Sequence, residues 1–222
     1  MSAAVTCIVP AYNAAATLTA VVQGLREALP GARVVTIDDG STDRTRRVAA
    51  DMCDRVIAFD ENRGKGAALR AGFADALAQD ARCVLTVDAD GQHDPAHAPA
   101  LVAGLAHADI VIGARARAGA MPIQRRLSNA LSTLAVNWLA RCDVADSQSG
   151  YRAIAAHVLR EVRPDGDRYE FETDLLIRAG RAGFRIACLP VATIYGQGPS
   201  HFRAVHDTAR VVRTLWRHRT GT

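Results

Sequence analysis

Asp88 and Asp90 stand two residues apart at the end of the apolar run Cys83 to Val87, and Gly91, Gln92, His93 and Asp94 follow before Pro95. If the strand continues through them, side chains at i and i+2 share a face, and both carboxylates aim at one point. Hard oxygen donors without a thiolate or paired imidazole beside them suit Mg²⁺ or Mn²⁺ better than zinc. Gln92 extends the spacing and offers a third oxygen. A solvated turn uses the same residue types, so both readings stand at this point. His93 and His97 are four apart, but Pro95 separates them and no third ligand is evident, so zinc is not expected.

Two other patterns join this one. Asp38 and Asp39 close the run Val34 to Ile37 and lead into Gly40, Ser41, Thr42 and Asp43, where Ser41 or Thr42 would cap a helix. Lys65, the one lysine of the chain, lies between Gly64 and Gly66 at the expected start of a helix through Phe73 and Leu77. Backbone amides and a cation at a helix N-terminus suit an anion. The elements that must position these groups alternate. Apolar strands are expected at Val5 to Val9, Val34 to Ile37, Val56 to Phe59, Cys83 to Val87 and Ile110 to Ile112. Between the first two, Leu18, Val21, Val22 and Leu25 keep helical spacing. The pattern predicts an α/β fold, with a mostly parallel sheet flanked by helices, in which ligands gather outside the carboxyl ends of the strands. Tyr12 and Asn13, Asp38 and Asp39, and Asp88 and Asp90 all fall at such ends.

In chain order, Val9-Pro-Ala-Tyr-Asn13, Asp38-Asp-Gly-Ser-Thr-Asp43, Asn62-Arg-Gly-Lys-Gly66 and Asp88-Ala-Asp-Gly-Gln-His93 are followed by Asp146-Ser-Gln148-Ser-Gly150-Tyr151-Arg152, Phe171-Glu172 and Gly183-Phe-Arg-Ile186. The set covers nearly the whole chain and resembles glycosyltransferase family 2 on the Rossmann-like GT-A fold. Within the family it looks most like the polyprenyl-phosphate sugar transferases of the dolichyl-phosphate mannosyltransferase type. Ala14 departs from that subgroup, which usually has Glu there, and Tyr195 to His201 lacks the usual Arg and Lys.

The resemblance implies roles. Pro10, Tyr12, Asn13, Asp38 and Asp39 would frame the base and ribose of a UDP- or GDP-sugar, with Lys65, Gly66, Asp88 and Ala89 completing the donor site. Asp88, Asp90 and Gln92 would hold Mg²⁺ or Mn²⁺ on the diphosphate, Asp90 thereby acting in catalysis. Arg115, Gln148, Tyr151, Ser200, His201 and Arg203 would face the sugar and a lipid-linked acceptor. The family inverts configuration by direct displacement. A hydroxyl acceptor needs a carboxylate base, for which Glu172 and Asp174 are the candidates, although Asp174 also fits the first turn of a helix running to Arg181. A phosphate monoester, with a second pKa of about 6, needs no base.

Composition bounds the rest. The 222 residues fit one domain, read as a nucleotide-sugar half (1–115), an acceptor half (116–200) and a basic amphipathic C-terminal helix (201–222). A net charge of +4 permits an anionic ligand or membrane surface without calling for nucleic acid. Five scattered cysteines and an opening without a signal-peptide pattern point to reduced thiols in the cytoplasm. The uncharged segment Leu127 to Ala140 is too short and polar to span a bilayer, and Leu127, Leu131, Leu134 and Trp138 read as a helix packed on the domain. Phe202, Val205, Ala209, Val212 and Trp216 beside Arg203, His206, Arg210, Arg213 and Arg217 form an apolar and a cationic stripe, which fit either a last helix closing the core with solvated arginines or peripheral attachment to the inner face of a membrane. The alternatives are a sugar-1-phosphate nucleotidyltransferase, whose Gly-rich loop is absent from Pro10 to Ala16, and a non-enzymatic nucleotide-sugar-binding protein.

Overall fold

The computed structural model describes residues 5–115 and 123–192, together with Thr214 and His218; of 123–128 only the backbone is described. Its elements are β1 (Val5–Ala11), α1 (Leu18–Ala28), β2 (Arg33–Asp38), α2 (Thr45–Met52), β3 (Arg55–Ala58), α3 (Lys65–Ala78), β4 (Cys83–Thr86), α4 (Ala98–Gly104), β5 (Ile110–Arg115), α5 (Ile123–Ala140), β6 (Arg152–Ala155), α6 (Ala156–Glu161), α7 (Glu170–Arg181) and β7 (Ile186–Val191). The strands form one sheet of order β3-β2-β1-β4-β6-β5-β7. β3, β2, β1 and β4 run parallel, β6 is antiparallel to both β4 and β5, and β7 is parallel to β5.

Helices cover both faces, so the central strands read as continuous apolar runs rather than alternating ones. Cys7, Ile8 and Val9 of β1 are all fully buried. One face packs Ile8, Val35, Ile37 and Val84 with Leu69 and Phe73 of α3; the other packs Cys7, Val9 and Leu85 with Leu18, Val21, Val22 and Leu25 of α1. The α1 stripe is thus the one expected from its spacing.

β1 runs past Pro10 to Ala11, further than the proline suggests. Ile8 accepts from Val87 on the β4 side, so Pro10, two residues on, turns its nitrogen the same way. The β4 ladder has ended there, at Ile8 opposite Thr86, and no donor is required. β4 likewise stops at Thr86, so Asp88 lies just beyond the strand and Ala89 and Asp90 occupy a turn with Gly91 at φ 72°. The extended i, i+2 geometry expected for Asp88, Asp90 and Gln92 is not what brings them together; a turn is.

Candidate active site

The carboxyl ends of β1, β2 and β4 meet as expected, but several residues there bind one another. Asn13, at φ 51°, accepts from the Thr42 amide and hydroxyl through Oδ1 and donates its own amide to Ser41 Oγ. The Ala14 amide donates to Thr45 Oγ1. Asp38 is fully buried, accepts from the Ser41 amide and pairs with Arg46 Nε at 2.8 Å. These contacts zip the β1 and β2 loops together, so Asn13 and Asp38 hold the shape of this edge. Asp39 does the same for the next loop, accepting from the Arg63 and Gly64 amides and from Asn62 Nδ2. Burial pushes its carboxyl above the ordinary value despite those amides. Pro10 and Tyr12 remain partly exposed beside this edge.

The start of α3 is not an open anion cradle. The Ala67 amide donates to the Asp167 carbonyl, and Arg70 ties that segment down through Asp167 Oδ1 at 2.8 Å and the Gly166 carbonyl at 2.6 Å. Gly64 (φ 101°) and Gly66 permit the approach: a Cβ on Gly66 would fall 2.7 Å from Phe171 Cβ. Gly66 is therefore a packing position against the 167–171 segment.

Lys65, released from that role, turns inward. Its ammonium lies 2.7 Å from Asp88 Oδ1 and 2.9 Å from Glu172 Oε2, with the side chain 15% exposed. Burial alone would lower its pKa, but Asp88 and Glu172 more than reverse that and keep it charged. The same pairing outweighs the burial of Asp88 and holds its carboxyl below the ordinary range. Arg152, 1% exposed, closes the cluster: its guanidinium donates to the Ser149, Glu172 and Ser147 carbonyls and lies 3.8 Å from Glu172 Oε1. Gly150 roofs it. A Cβ there would fall 2.6 Å from both Asp88 Oδ2 and Lys65 Nζ, so its role is close backbone approach.

Asp90 is next to this cluster. Burial first, then the neighbouring Asp88 charge, push its carboxyl above the usual range. Asp88 Oδ1 is on Lys65 and Asp90 Oδ1 accepts the Gln92 amide, which leaves the second oxygen of each for an ion. Among the described residues no three His, Cys, Asp or Glu side chains converge to hold a metal. Two like-charged, partly buried carboxylates fit a hard divalent cation that supplies the missing positive charge. His93, 6% exposed, backs the pair: its ring packs on Tyr151 with centroids 5.1 Å apart and Nε2 lies 3.9 Å from Asp88 Oδ2. Burial pushes its imidazole down to about 4, keeping it neutral at pH 7.

Three expected roles change. Tyr151 is fully buried and its hydroxyl donates to the Asp94 and Pro95 carbonyls at 3.3 and 3.4 Å, so it supports the turn and does not line a sugar pocket. Tyr151→Phe is accordingly expected to lower stability by about 1 kcal/mol in a urea melt and to leave the donor and acceptor KM unchanged. Asp174 is fully buried beyond the first turn of α7, accepting from the Asp165 amide, Arg178 Nε and the His218 imidazole, which leaves it no opening as a base. Arg115 pairs with Asp146 at 2.7 Å, and Asp146 also accepts the Gln148 amide, so Arg115 shapes the loop that carries Gln148. Ala89 is buried and its carbonyl accepts from Thr17 Oγ1. Ser200, His201, Arg203 and the C-terminal stripe lie outside the described residues, as does part of the expected 116–200 half.

With this geometry in hand, the family 2 glycosyl transferase model matches residues 6–162. The chain belongs to glycosyltransferase family 2. This glycosyltransferase is 31% identical over 199 residues to the undecaprenyl-phosphate mannosyltransferase of Micrococcus luteus, an alignment covering 84% of this chain and 82% of that one. It is 30% identical to the polyprenol monophosphomannose synthase of Mycolicibacterium smegmatis, covering 83% and 75%. Among solved structures, the glucosyl-3-phosphoglycerate synthase of Mycobacterium tuberculosis, in complex with Mn²⁺, UDP and phosphoglyceric acid, superposes with a TM-score of 0.78 at 24% identity, over 96% of this chain and 78% of that one. That likeness establishes the GT-A fold.

Proposed function

We propose that this glycosyltransferase transfers a sugar from a nucleotide-sugar to a polyprenyl-phosphate acceptor, with inversion and with a divalent cation on Asp88 and Asp90. One observation carries the acceptor class: the carboxylates near the cluster that are candidates for a base are already engaged. Glu172 is held by Lys65 and Asp174 by Arg178 and His218. A hydroxyl acceptor would need one of them, whereas a phosphate monoester is already largely ionised at pH 7. The names of the relatives, which are transferases of undecaprenyl-phosphate and polyprenol phosphate, point the same way.

In the displacement, an acceptor phosphate oxygen bonds to the anomeric carbon while the bond from that carbon to the diphosphate oxygen breaks. The bonding pair leaves with the nucleoside diphosphate. A bound cation would supply positive charge against that leaving group. Lys65 and Gly150 fix the height and direction of Asp88, and the Asp39 contacts fix the 62–64 loop. Pro10 and Tyr12, beside the zipped β1 and β2 loops, would meet the base.

The test is a panel of UDP-, GDP- and dTDP-sugars, each radiolabelled in the sugar, offered with Mn²⁺ and a polyprenyl phosphate. Label should move into the organic phase from one nucleotide class. Transfer only to hydroxyl acceptors would overturn the acceptor reading, and donor binding without turnover would favour a nucleotide-sugar-binding protein.

A further inference from the structure

Thr17 stands just before the Leu18, Val21, Val22 and Leu25 stripe, where a threonine ordinarily caps a helix by accepting one of its first amides. It holds that cap position in α1, yet its side chain accepts no amide there. The hydroxyl works outside the helix instead. Thr17 Oγ1 lies 2.6 Å from the Ala89 carbonyl and 3.3 Å from that of Ala14, and a hydroxyl has one proton to give. The Ala14 carbonyl already accepts the Thr17 and Leu18 amides, so the proton goes to Ala89. Ala89, 5% exposed, is the residue between Asp88 and Asp90.

This contact joins residues 72 apart in sequence, just past the end of a ladder. β1 and β4 pair as far as Ile8 opposite Thr86, and the Val87 amide donates to the Ile8 carbonyl. Beyond that point β1 leads to Tyr12 and Asn13, and β4 leads into the turn of the two carboxylates. Thr17 connects the two. α1 meets the same turn again seven residues on, about two helical turns, at Gly24, where a Cβ would fall 2.7 Å from Pro95 Cγ. Ahead of Thr17, the amides of Asn13, Ala14 and Ala15 donate to Ser41 Oγ, Thr45 Oγ1 and Asp43 Oδ2. The start of α1 is therefore tied to the β2 loop on one side and to the carboxylate turn on the other.

We propose that Thr17 is a positioning residue for the transfer reaction. Its hydroxyl holds the backbone between Asp88 and Asp90 at a set distance from the β1 and β2 loops, so that the carboxylate pair and the edge that would meet the base match the span of one nucleoside diphosphate. The inference deepens the cation reading given above and rests on it. The requirement is covalent: the diphosphate of a nucleotide-sugar lies a fixed number of bonds from its base. Groups that meet the two ends must therefore keep their separation before the donor arrives, or binding has to order them. A hydrogen bond from α1, itself anchored to the β2 loop, supplies that constraint. Thr17 touches neither the ion nor the donor diphosphate in this arrangement, and it acts through the Ala89 carbonyl.

The test reads the ion directly. Mn²⁺ alone is titrated into the full chain, and the free ion is followed by electron paramagnetic resonance. Thr17→Val and Thr17→Ala both remove the proton donor, whereas Thr17→Ser keeps it. In chains of matched circular dichroism the Mn²⁺ Kd should rise about tenfold or more for the first two, the usual loss when a group that orients metal ligands is removed. Thr17→Ser should stay close to wild type. Excess Mn²⁺ should restore most of the transfer rate lost in Thr17→Val, with the acceptor KM unchanged. A threonine of purely structural use would lower the urea midpoint of the Val and Ala variants and leave their Mn²⁺ Kd in place. That outcome overturns the proposal, as does a Thr17→Ser chain that holds Mn²⁺ as weakly as Thr17→Ala. Asp90→Asn, titrated in parallel, separates the two readings. Weakened Mn²⁺ binding there, with normal binding in Thr17→Val, rejects the role of Thr17 alone. Equal Mn²⁺ binding by wild type and Asp90→Asn rejects the cation site, and the Thr17 proposal falls with it.

Discussion

Asp90→Asn should lower kcat by about two to three orders of magnitude, the loss that follows when one charged group serving the transition state is removed. The fold should not suffer. Burial and the adjacent Asp88 charge already disfavour the ionised Asp90, so an uncharged isostere relieves a like-charge contact rather than breaking an attractive one. The melting temperature is therefore expected to hold or rise slightly while turnover falls. Titrating Mn²⁺ separates the cation role from a local one: the variant should need far more metal to reach its residual rate. Wild-type turnover at limiting Mn²⁺ would remove Asp90 from the ion site. Asp88→Asn makes the contrast, because it also frees Lys65 from one of its two partners, and it should lose stability as well as activity.

The parts of the fold that local patterning dictates are legible in the sequence. Leu18, Val21, Val22 and Leu25 face the core because helical spacing admits one inward stripe, and β1, β2 and β4 follow from uninterrupted apolar runs. β6 was hidden because it is short and opens on Arg152, a buried cation that hydropathy assigns to the surface. The direction of α5 was hidden for a related reason. Spacing identifies two faces but not which is inward, and here Thr133 and Asn137 find hydrogen-bond partners in the 144–147 loop while Leu131, Leu134 and Trp138 find none. At the site, Asp88 and Asp90 could be read from their place at a strand end. The Lys65–Asp88–Glu172 cluster could not, since its members lie on β4's end, α3 and α7, and their approach depends on glycines at 64, 66 and 150 that look like ordinary turn residues in sequence.

That cluster supports the second large effect, expected for Lys65→Met. The ammonium is the shared partner of two carboxylates that are 26% and 9% exposed, and removing it leaves them facing each other, with the Arg152 guanidinium 3.8 Å from Glu172 and the His93 imidazole 3.9 Å from Asp88. Breaking a buried pair in this way costs about 3–5 kcal/mol, readable as a large fall in the urea midpoint. Turnover should fall as well, because Asp88 loses the contact that aims it. If Lys65 instead met only the donor diphosphate, KM would rise by about tenfold with the melt unmoved. A second substitution separates stability from chemistry: Lys65→Met with Glu172→Gln removes the stranded charge and should recover at least ~1 kcal/mol of stability, a coupling of the size seen for contacting residues, with no return of activity. Gly150→Ala approaches the same cluster from above. It leaves every charge in place but puts a methyl 2.6 Å from Asp88 Oδ2 and Lys65 Nζ, so the pair must shift. Its expected signature is a lost kcat with a smaller fall in stability than Lys65→Met shows. An active Gly150→Ala enzyme would mean that the position of the Lys65–Asp88 pair does not matter to catalysis, and Lys65 would then be a structural residue only.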